Sequence, residues 1–306
     1  MIKLITFPFV SFLITTAATP LAIRLSFKLD ILDYPSDQLL NIHKKPMPLL
    51  GGVSVWLGIV FSLFIISFVY KPPFKVITGI YASLLFVLFI GLLDDIRGIK
   101  PYLRFIGQIG VALIFIFVCG ITADFIPFWY ISMPLTVLFI VSSINAVNLL
   151  DGLDGIATGT TLIASIGFFA VFFLKGDLLW ASISLALAGA TAGFLIFNFH
   201  PAKIFLGDNG STVLGFMLGI LAVRFVTKPY SLVYLFVPGL ILILPIADLT
   251  LAVGRRLFKK KPISIGDRDH IYDKFIKKGY SQTQTSLITY CFGILGGAAA
   301  IIILLL

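Results

Sequence analysis

Glutamate is absent from this chain: all 14 acidic residues are Asp. Charge of either sign is scarce, at 12% of 306 residues, about half of what a soluble domain carries. With 59% hydrophobic residues and a mean hydropathy of +1.07, this shortage excludes a soluble globular protein, because no single core could hide so much apolar surface. Cysteine is nearly missing too. Cys119 and Cys291 stand on separate segments, which excludes a disulfide framework and a thiolate metal site and leaves them as apolar filler. No internal repeat and no low-complexity linker divides the chain, so residues 1–306 read as a single transmembrane domain. Met1 to Leu25 resembles a signal peptide with Lys3 as its basic start, but so many apolar runs follow that it is expected to remain as the first helix.

What is present is a series of long apolar runs. In lipid every backbone N–H and C=O needs an internal partner, so the expected fold is an all-α integral membrane protein, a polytopic bundle of about ten transmembrane helices. A crossing takes roughly 20 apolar residues. The candidates are about 2–24, 50–70, 74–93, 103–120, 129–147, 157–174, 178–197, 211–227, 231–253 and 285–306. With these ten spans, one set of loops and flanks holds 17 of the 23 Lys and Arg residues. The positive-inside rule places that set in the cytoplasm and both termini outside. The same loops carry every polar cluster of the chain, an agreement that the charge count did not require.

Those clusters are four. Asp94-Asp95 closes the third span, either as an interfacial stop or as a metal or general-base site. Asn145, Asn148, Asp151 and Asp154 follow at i, i+3 spacing at the end of the fifth span. If the helix continues through them they form a spiralling polar stripe, with Gly152 and Gly155 allowing close approach of a substrate or ending the helix. Such an all-oxygen set suits Mg²⁺; a capped turn of ordinary loop residues is the plainer reading. Before the eighth span, NFHPAKIFLGDNGS places Asp208 between two glycines, as an N-cap or beside an anion site. His200, ahead of Pro201, could simply mark the interface. The last loop is strongly basic, as membrane anchors are, but its DRDHIYD segment alternates Asp, Arg and His, and Arg and His are suitable donors to phosphate. Asp clusters gathered on one face suit a divalent metal and a phosphorylated substrate. A secondary transporter, the main reading of another class, would place ionisable groups near mid-membrane and usually show a repeat. Here only Asp248, near the cytoplasmic end of the ninth span, breaks the uncharged interiors.

In this order the clusters resemble the polyprenyl-phosphate N-acetylhexosamine-1-phosphate transferase family over about residues 20–280. The resemblance rests on HKKPMPLLGG (His43 to Gly52), Leu92 to Arg104, NAVNLLDGLDGIATG (Asn145 to Gly159), Phe197 to Ser211 and LPIADLTLAVGRR (Leu244 to Arg256). It implies a single transmembrane catalytic domain in the bacterial cytoplasmic membrane, with its site on the cytoplasmic face. The implied reaction moves a sugar-1-phosphate from a UDP-N-acetylhexosamine onto undecaprenyl phosphate and releases UMP, with Mg²⁺ (or Mn²⁺) as cofactor. The product would feed teichoic-acid, O-antigen or related glycan synthesis. Carried over by motif, Asp208 and Asn148 are expected as metal ligands. Asp94, Asp95 and Asp151 are the expected catalytic carboxylates, the first two beside the lipid phosphate. Asp151 and Asp154 line the nucleotide side, and Phe205 stacks on uracil. Asn145, Asn198, Arg104, Arg268 and His270 contact substrate, as do His43 and Lys45. Where one branch shows His-x-His-His, this chain reads His270-Ile271-Tyr272-Asp273, and it lacks the His-rich run of the phospho-MurNAc-pentapeptide branch. Asp267-Arg268-Asp269 fits the UDP-GlcNAc branch better. The lipid bilayer is the setting, a homodimer is compatible with the family, and no nucleic acid is expected as a partner.

Overall fold

The computed structural model describes residues 2–35, 45–126, 128–226, 232–260 and 269–306. The chain is helical almost throughout. It runs α1 (Ile2–Leu29), a two-residue antiparallel pairing of β1 (Leu32–Asp33) with β2 (Met47–Pro48), then α2 (Gly51–Tyr70) and α3 (Phe74–Arg97). Next come α4 (Pro101–Ile114), extended by a π-helical turn at Phe115–Cys119, then α5 (Trp129–Leu150), α6 (Ile156–Leu174) and α7 (Leu178–Asn198). The chain closes with α8 (Gly207–Phe225), α9 (Leu232–Ile241), α10 (Ile243–Phe258), α11 (Ile271–Lys277) and α12 (Gln282–Leu305).

Local chemistry sets the ends. Gly98 adopts φ +61° after α3 and returns its N–H to the Asp94 carbonyl at 2.8 Å. Pro101 then opens α4 at a position where a missing N–H costs nothing. Ser281 caps α12 in a capping box, its Oγ accepting from the Gln284 N–H while Gln284 Oε1 accepts from the Ser281 N–H.

Among the described residues eight helices are long and apolar enough to cross a membrane, or up to nine spans if α9 and α10 count as one. Two of the ten spans expected from sequence depart from that apolar set. The expected span 231–253 is two helices bent by 85° at Leu242. The expected span 211–227 is α8, which starts earlier than expected, at Gly207. Its polar first turn and Arg224 keep it out of the apolar set. Yet α8 is the centre of the bundle. Every residue from Asn209 to Val223 is buried, against α5, α3 and α2 above all. Its 19 residues give a rod about 28 Å long at 1.5 Å per residue, close to the hydrocarbon depth. The lipid-facing surface belongs to the outer helices, where Phe9, Phe64, Phe89, Leu138 and Leu295 are exposed.

Two glycines bring α8 close to its neighbours. A Cβ on Gly91 of α3 would lie 2.6 Å from the Asp208 carbonyl oxygen and 2.7 Å from the Asn209 nitrogen. One on Gly52 of α2 would run into the Gly210 backbone. The start of α8 is thus held at backbone contact by α2 and α3, and the candidate site is built there.

Candidate active site

The end of α3 meets the start of α8 through Asp95. Its Oδ1 accepts the Asp208 N–H at 2.8 Å, and its Oδ2 accepts the Asn209 N–H at 2.9 Å and the Asn209 Nδ2 at 2.5 Å. An α-helix leaves its first N–H groups without internal partners. Here a carboxylate from another helix satisfies two of them, where helix partial charge favours an anion. Asp208, read from sequence as an N-cap or as lying beside an anion site, is not the N-cap: it lies within the first turn, its own N–H capped from α3.

Asp94, one residue earlier, takes different partners and meets the Asp208 side chain rather than the α8 backbone. It is buried, accepts the Ile99 N–H at 3.0 Å and receives the Arg104 guanidinium at 2.9 Å. The same Arg104 nitrogen stands 3.8 Å from Asp208 Oδ2. Asn148 Nδ2 donates to Asp208 Oδ1 and, at 2.9 Å, to Ser211 Oγ. Asn145, one turn back on α5, donates to Gln108 of α4 at 2.6 Å and to the Val141 carbonyl.

The expected stripe 145–154 is broken. Helix α5 stops at Leu150, Asp151 is its C-cap at φ −80°, ψ 50°, and Asp154 sits in the turn that ends at Gly155 (φ +75°). Gly152 leaves room for Tyr272, since a Cβ there would strike the Tyr272 hydroxyl. Asp154 Oδ2 accepts the Ala202 N–H at 3.0 Å and faces His200 Nδ1 at 2.7 Å. Asn198 is buried, accepts from Thr158 Oγ1 at 2.8 Å and donates to the Ile204 carbonyl at 3.0 Å. These bonds pin the loop 199–206 to the start of α6 and the turn before it, and the Phe205 N–H fixes the same loop to the Pro48 carbonyl at 2.9 Å.

Of these groups Asp95, Asn148, Asp151, Asp154, Asp208, Asn198 and Phe205 line a cavity of about 670 Å³, while Asp94, Arg104 and Asn145 are not among its lining residues. It is of the size that small-molecule sites have. Lys45 is exposed ahead of β2 and is not among the lining residues. His43 and Arg268 lie outside the described residues. His270 is buried behind the turn. Its Nδ1 is 2.6 Å from Asp248 Oδ2, while Asp248 Oδ1 accepts the Ile271 N–H at 2.8 Å. The intramembrane Asp248 therefore docks the last loop, which removes the feature that a transporter reading could have used.

Sequence reasoning did not foresee the Asp95 cap, the Asp94–Arg104 pair, Gln108 as partner of Asn145, or Asp248 as partner of His270. It had no role for His200 beyond the interface and did not single out Asp33 or Gln282, which also line the cavity.

The electrostatics are one-sided. Burial first, then the negative charge of Asp208, Asp95 and Asp154, holds the Asp151 carboxyl well above the usual carboxylate range. A carboxyl raised in this way keeps in the folded state a proton that the unfolded chain has released. Stability therefore falls as pH rises from the ordinary carboxylate range through the raised value. Asp151→Asn lacks that loss. In metal-free buffer its melting temperature is expected to exceed the wild type's on the alkaline side and to converge with it in acid. A variant that melts lower at every pH would contradict this.

The same excess of carboxylates fits a divalent cation. Among the described residues no three Asp, His or Cys side chains converge as a ready ligand set.

A sequence profile described as glycosyl transferase family 4 matches residues 77–226, from early α3 to the end of α8. The chain is 35% identical to the probable undecaprenyl-phosphate N-acetylglucosaminyl 1-phosphate transferase of Bacillus subtilis (strain 168), over 99% of this chain and 86% of that protein. It is 33% identical to the decaprenyl-phosphate N-acetylglucosaminephosphotransferase of Mycobacterium tuberculosis (strain ATCC 25618 / H37Rv), over 94% and 80%. To the phospho-N-acetylmuramoyl-pentapeptide-transferase of Staphylococcus aureus (strain MW2) it is 27% identical, over 84% and 85%. A multi-pass membrane bundle with a polar, carboxylate-lined cavity at its helix ends is the setting of a membrane phosphotransferase, and the chain belongs to glycosyl transferase family 4. Within that family it is a glycosyl-1-phosphate transferase.

Proposed function

We propose that the protein transfers N-acetylglucosamine-1-phosphate from UDP-GlcNAc to undecaprenyl phosphate, forming undecaprenyl-diphosphate-GlcNAc and releasing UMP, as the first membrane step of a cell-envelope glycan pathway. The observation that carries this reading is the meeting of Asp95, Asn148, Asp151 and Asp208 in one cavity, at the ends of three helices. The choice of sugar is supported by the relatives, since those named for N-acetylglucosamine transfer are 35% and 33% identical and the pentapeptide transferase 27%. The distribution of Lys and Arg supports a cytoplasmic site.

In the proposed reaction an oxygen of the lipid phosphate attacks the β-phosphorus of UDP-GlcNAc and a new P–O bond forms. The bond from that phosphorus to the bridging oxygen breaks, and the oxygen leaves with UMP. A phosphate monoester has a second pKa of about 6, so the nucleophile is mostly dianionic at neutral pH and needs no strong base. The protein must supply position and charge neutralisation. Mg²⁺, with Mn²⁺ as a substitute, contributes positive charge when bound, and Asp208 and Asn148 would hold it, with Asp151 beside them. Arg104, steered by Asp94, brings its guanidinium to the Asp208 end of the cavity. Asp95 keeps the first turn of α8 in place. Phe205 offers a ring to uracil, and Asp154 with Asn198 holds the loop that carries it.

Detergent-purified protein given undecaprenyl phosphate, Mg²⁺ and UDP-GlcNAc is expected to release UMP only when the lipid is present, and EDTA is expected to abolish the release. Parallel reactions with UDP-GalNAc and UDP-MurNAc-pentapeptide test the sugar. UMP release only in the pentapeptide reaction would reassign the substrate, and none in any reaction beside a working control enzyme would refute the proposal.

A further inference from the structure

A polar group at the cavity is left with an unmet hydrogen bond. Gln282 is the first residue of α12 and lines the cavity beside Asp154 and His200. Its Oε1 is shut off from solvent and has no hydrogen-bond partner among the described residues. A buried amide oxygen left unpaired costs about 1–3 kcal/mol, so the position is unfavourable unless a ligand brings a donor.

The register of α12 explains how Gln282 reaches the cavity. Gln282, Ser286 and Tyr290 recur at i, i+4, i+8, so they share one helix face. Tyr290 Oη donates to the Gly155 carbonyl at 2.6 Å and Ser286 Oγ to the Asp154 carbonyl at 3.4 Å. This face therefore tracks along the turn after α5. Its first member, Gln282, belongs to the cavity wall.

The ligand chemistry follows from what surrounds that amide. The nearby Asp154 Oδ2 is already committed to the Ala202 N–H and His200. Asp208, Asn148 and Arg104 are committed to one another. Gln282 is thus a neutral donor-acceptor pair whose oxygen bonds to none of these groups. A side-chain amide is complementary to a secondary amide, which offers an N–H to the oxygen and a C=O to the nitrogen, whichever way the group is turned.

We infer that Gln282 is a specificity-determining residue that reads the acetamido group of the sugar nucleotide. The inference rests on the proposed transfer from a UDP-N-acetylhexosamine and names the group that recognises its sugar. A site built to hydrogen-bond a substrate group discriminates through the polar atoms left unpaired when that group is missing.

The test compares full-length wild type with Gln282→Met, which keeps the length of the side chain and removes its hydrogen bonding. Assays contain undecaprenyl phosphate and Mg²⁺. The expected result is a fall in kcat/KM for UDP-GlcNAc of about 10- to 100-fold, carried mostly by KM. Inhibition by UMP, which has no sugar, is expected to stay within about twofold of wild type. Gln282→Asn, which withdraws the amide by one methylene, is expected to show the same split and serves if the Met variant does not fold. An equal loss of UDP-GlcNAc and UMP affinity would assign Gln282 to shaping the cavity and overturn the inference, as would no change in either. Wild type that turns over no UDP-N-acetylhexosamine would instead strike the proposed function, and this inference with it.

Discussion

Asp208→Asn is expected to lower lipid-dependent UMP release by about 100- to 1,000-fold or more while the protein stays folded. The fold should survive because the fixed contacts of residue 208 are met by either side chain. Its N–H is held by Asp95, its carbonyl accepts from Thr212 Oγ1 at 2.7 Å, and its Oδ1 accepts from Asn148. Asparagine keeps all three. What it loses is the negative charge at Oδ2, the atom that faces Arg104 from 3.8 Å and stays partly open to the cavity. If Asp208 helps hold Mg²⁺ there, the variant should require far more Mg²⁺ for its residual activity, whereas loss of a merely structural contact would leave the Mg²⁺ dependence unchanged. UMP release is measured across a Mg²⁺ titration. Activity within tenfold of wild type at ordinary Mg²⁺ would remove Asp208 from the metal site.

The second large effect is expected from a methyl group. Gly91→Ala places a carbon 2.6 Å from the Asp208 carbonyl oxygen and 2.7 Å from the Asn209 nitrogen. Both atoms are backbone of the first turn of α8 and cannot rotate away, so α3 and α8 must part. Overpacking of this kind costs about 1–3 kcal/mol and sometimes more. The same displacement pulls Asp95 off the two N–H groups it caps and shifts Asp208 relative to Asn148. Misplacing reacting groups by about 1 Å can cost about 100-fold in rate. The variant is therefore expected to melt earlier and to lose most of its activity, even though residue 91 touches no substrate. Gly239→Ala, in α9, is the control. Its added carbon meets nothing within 4 Å, and alanine favours the helix, so stability should hold or rise slightly. Equal behaviour of the two variants, by thermal melting and UMP release, would show that the α3–α8 contact does not set the site.

Much of this architecture was readable before any coordinates. The apolar runs gave the outer helices because lipid leaves the chain one way to satisfy its backbone. The polar clusters between them could be assigned to one side because Lys and Arg lay with them. Asn148, Asp151, Asp154, Asp208 and Phe205 were singled out and do share a cavity. What stayed hidden was pairing at a distance. Asp95 and the start of α8 are more than 110 residues apart, and no local pattern says that a carboxylate ending one helix will cap another. Asp94 looks like the twin of Asp95 in sequence, but successive residues of a helix point about 100° apart, so Asp95 caps the backbone of α8 while Asp94 meets Arg104 and the Asp208 side chain. Asp248 read as an isolated intramembrane charge because its partner, His270, lies 22 residues on. The bend at Leu242 was invisible because both of its arms are apolar.

The burial of α8 on all sides has a consequence for how the protein is made. Asp208 and Asn209 at one end and Arg224 at the other make α8 a poor segment for insertion into lipid on its own. It emerges from the ribosome after α1 to α7, and it contacts α2, α3, α5 and α6, all of which precede it. The earlier helices can thus assemble a protein-lined slot before the segment that needs it is synthesised. The order of genes' translation along the chain and the order of assembly in the membrane then coincide, and the segment carrying Asp208 enters a partner surface rather than bare hydrocarbon.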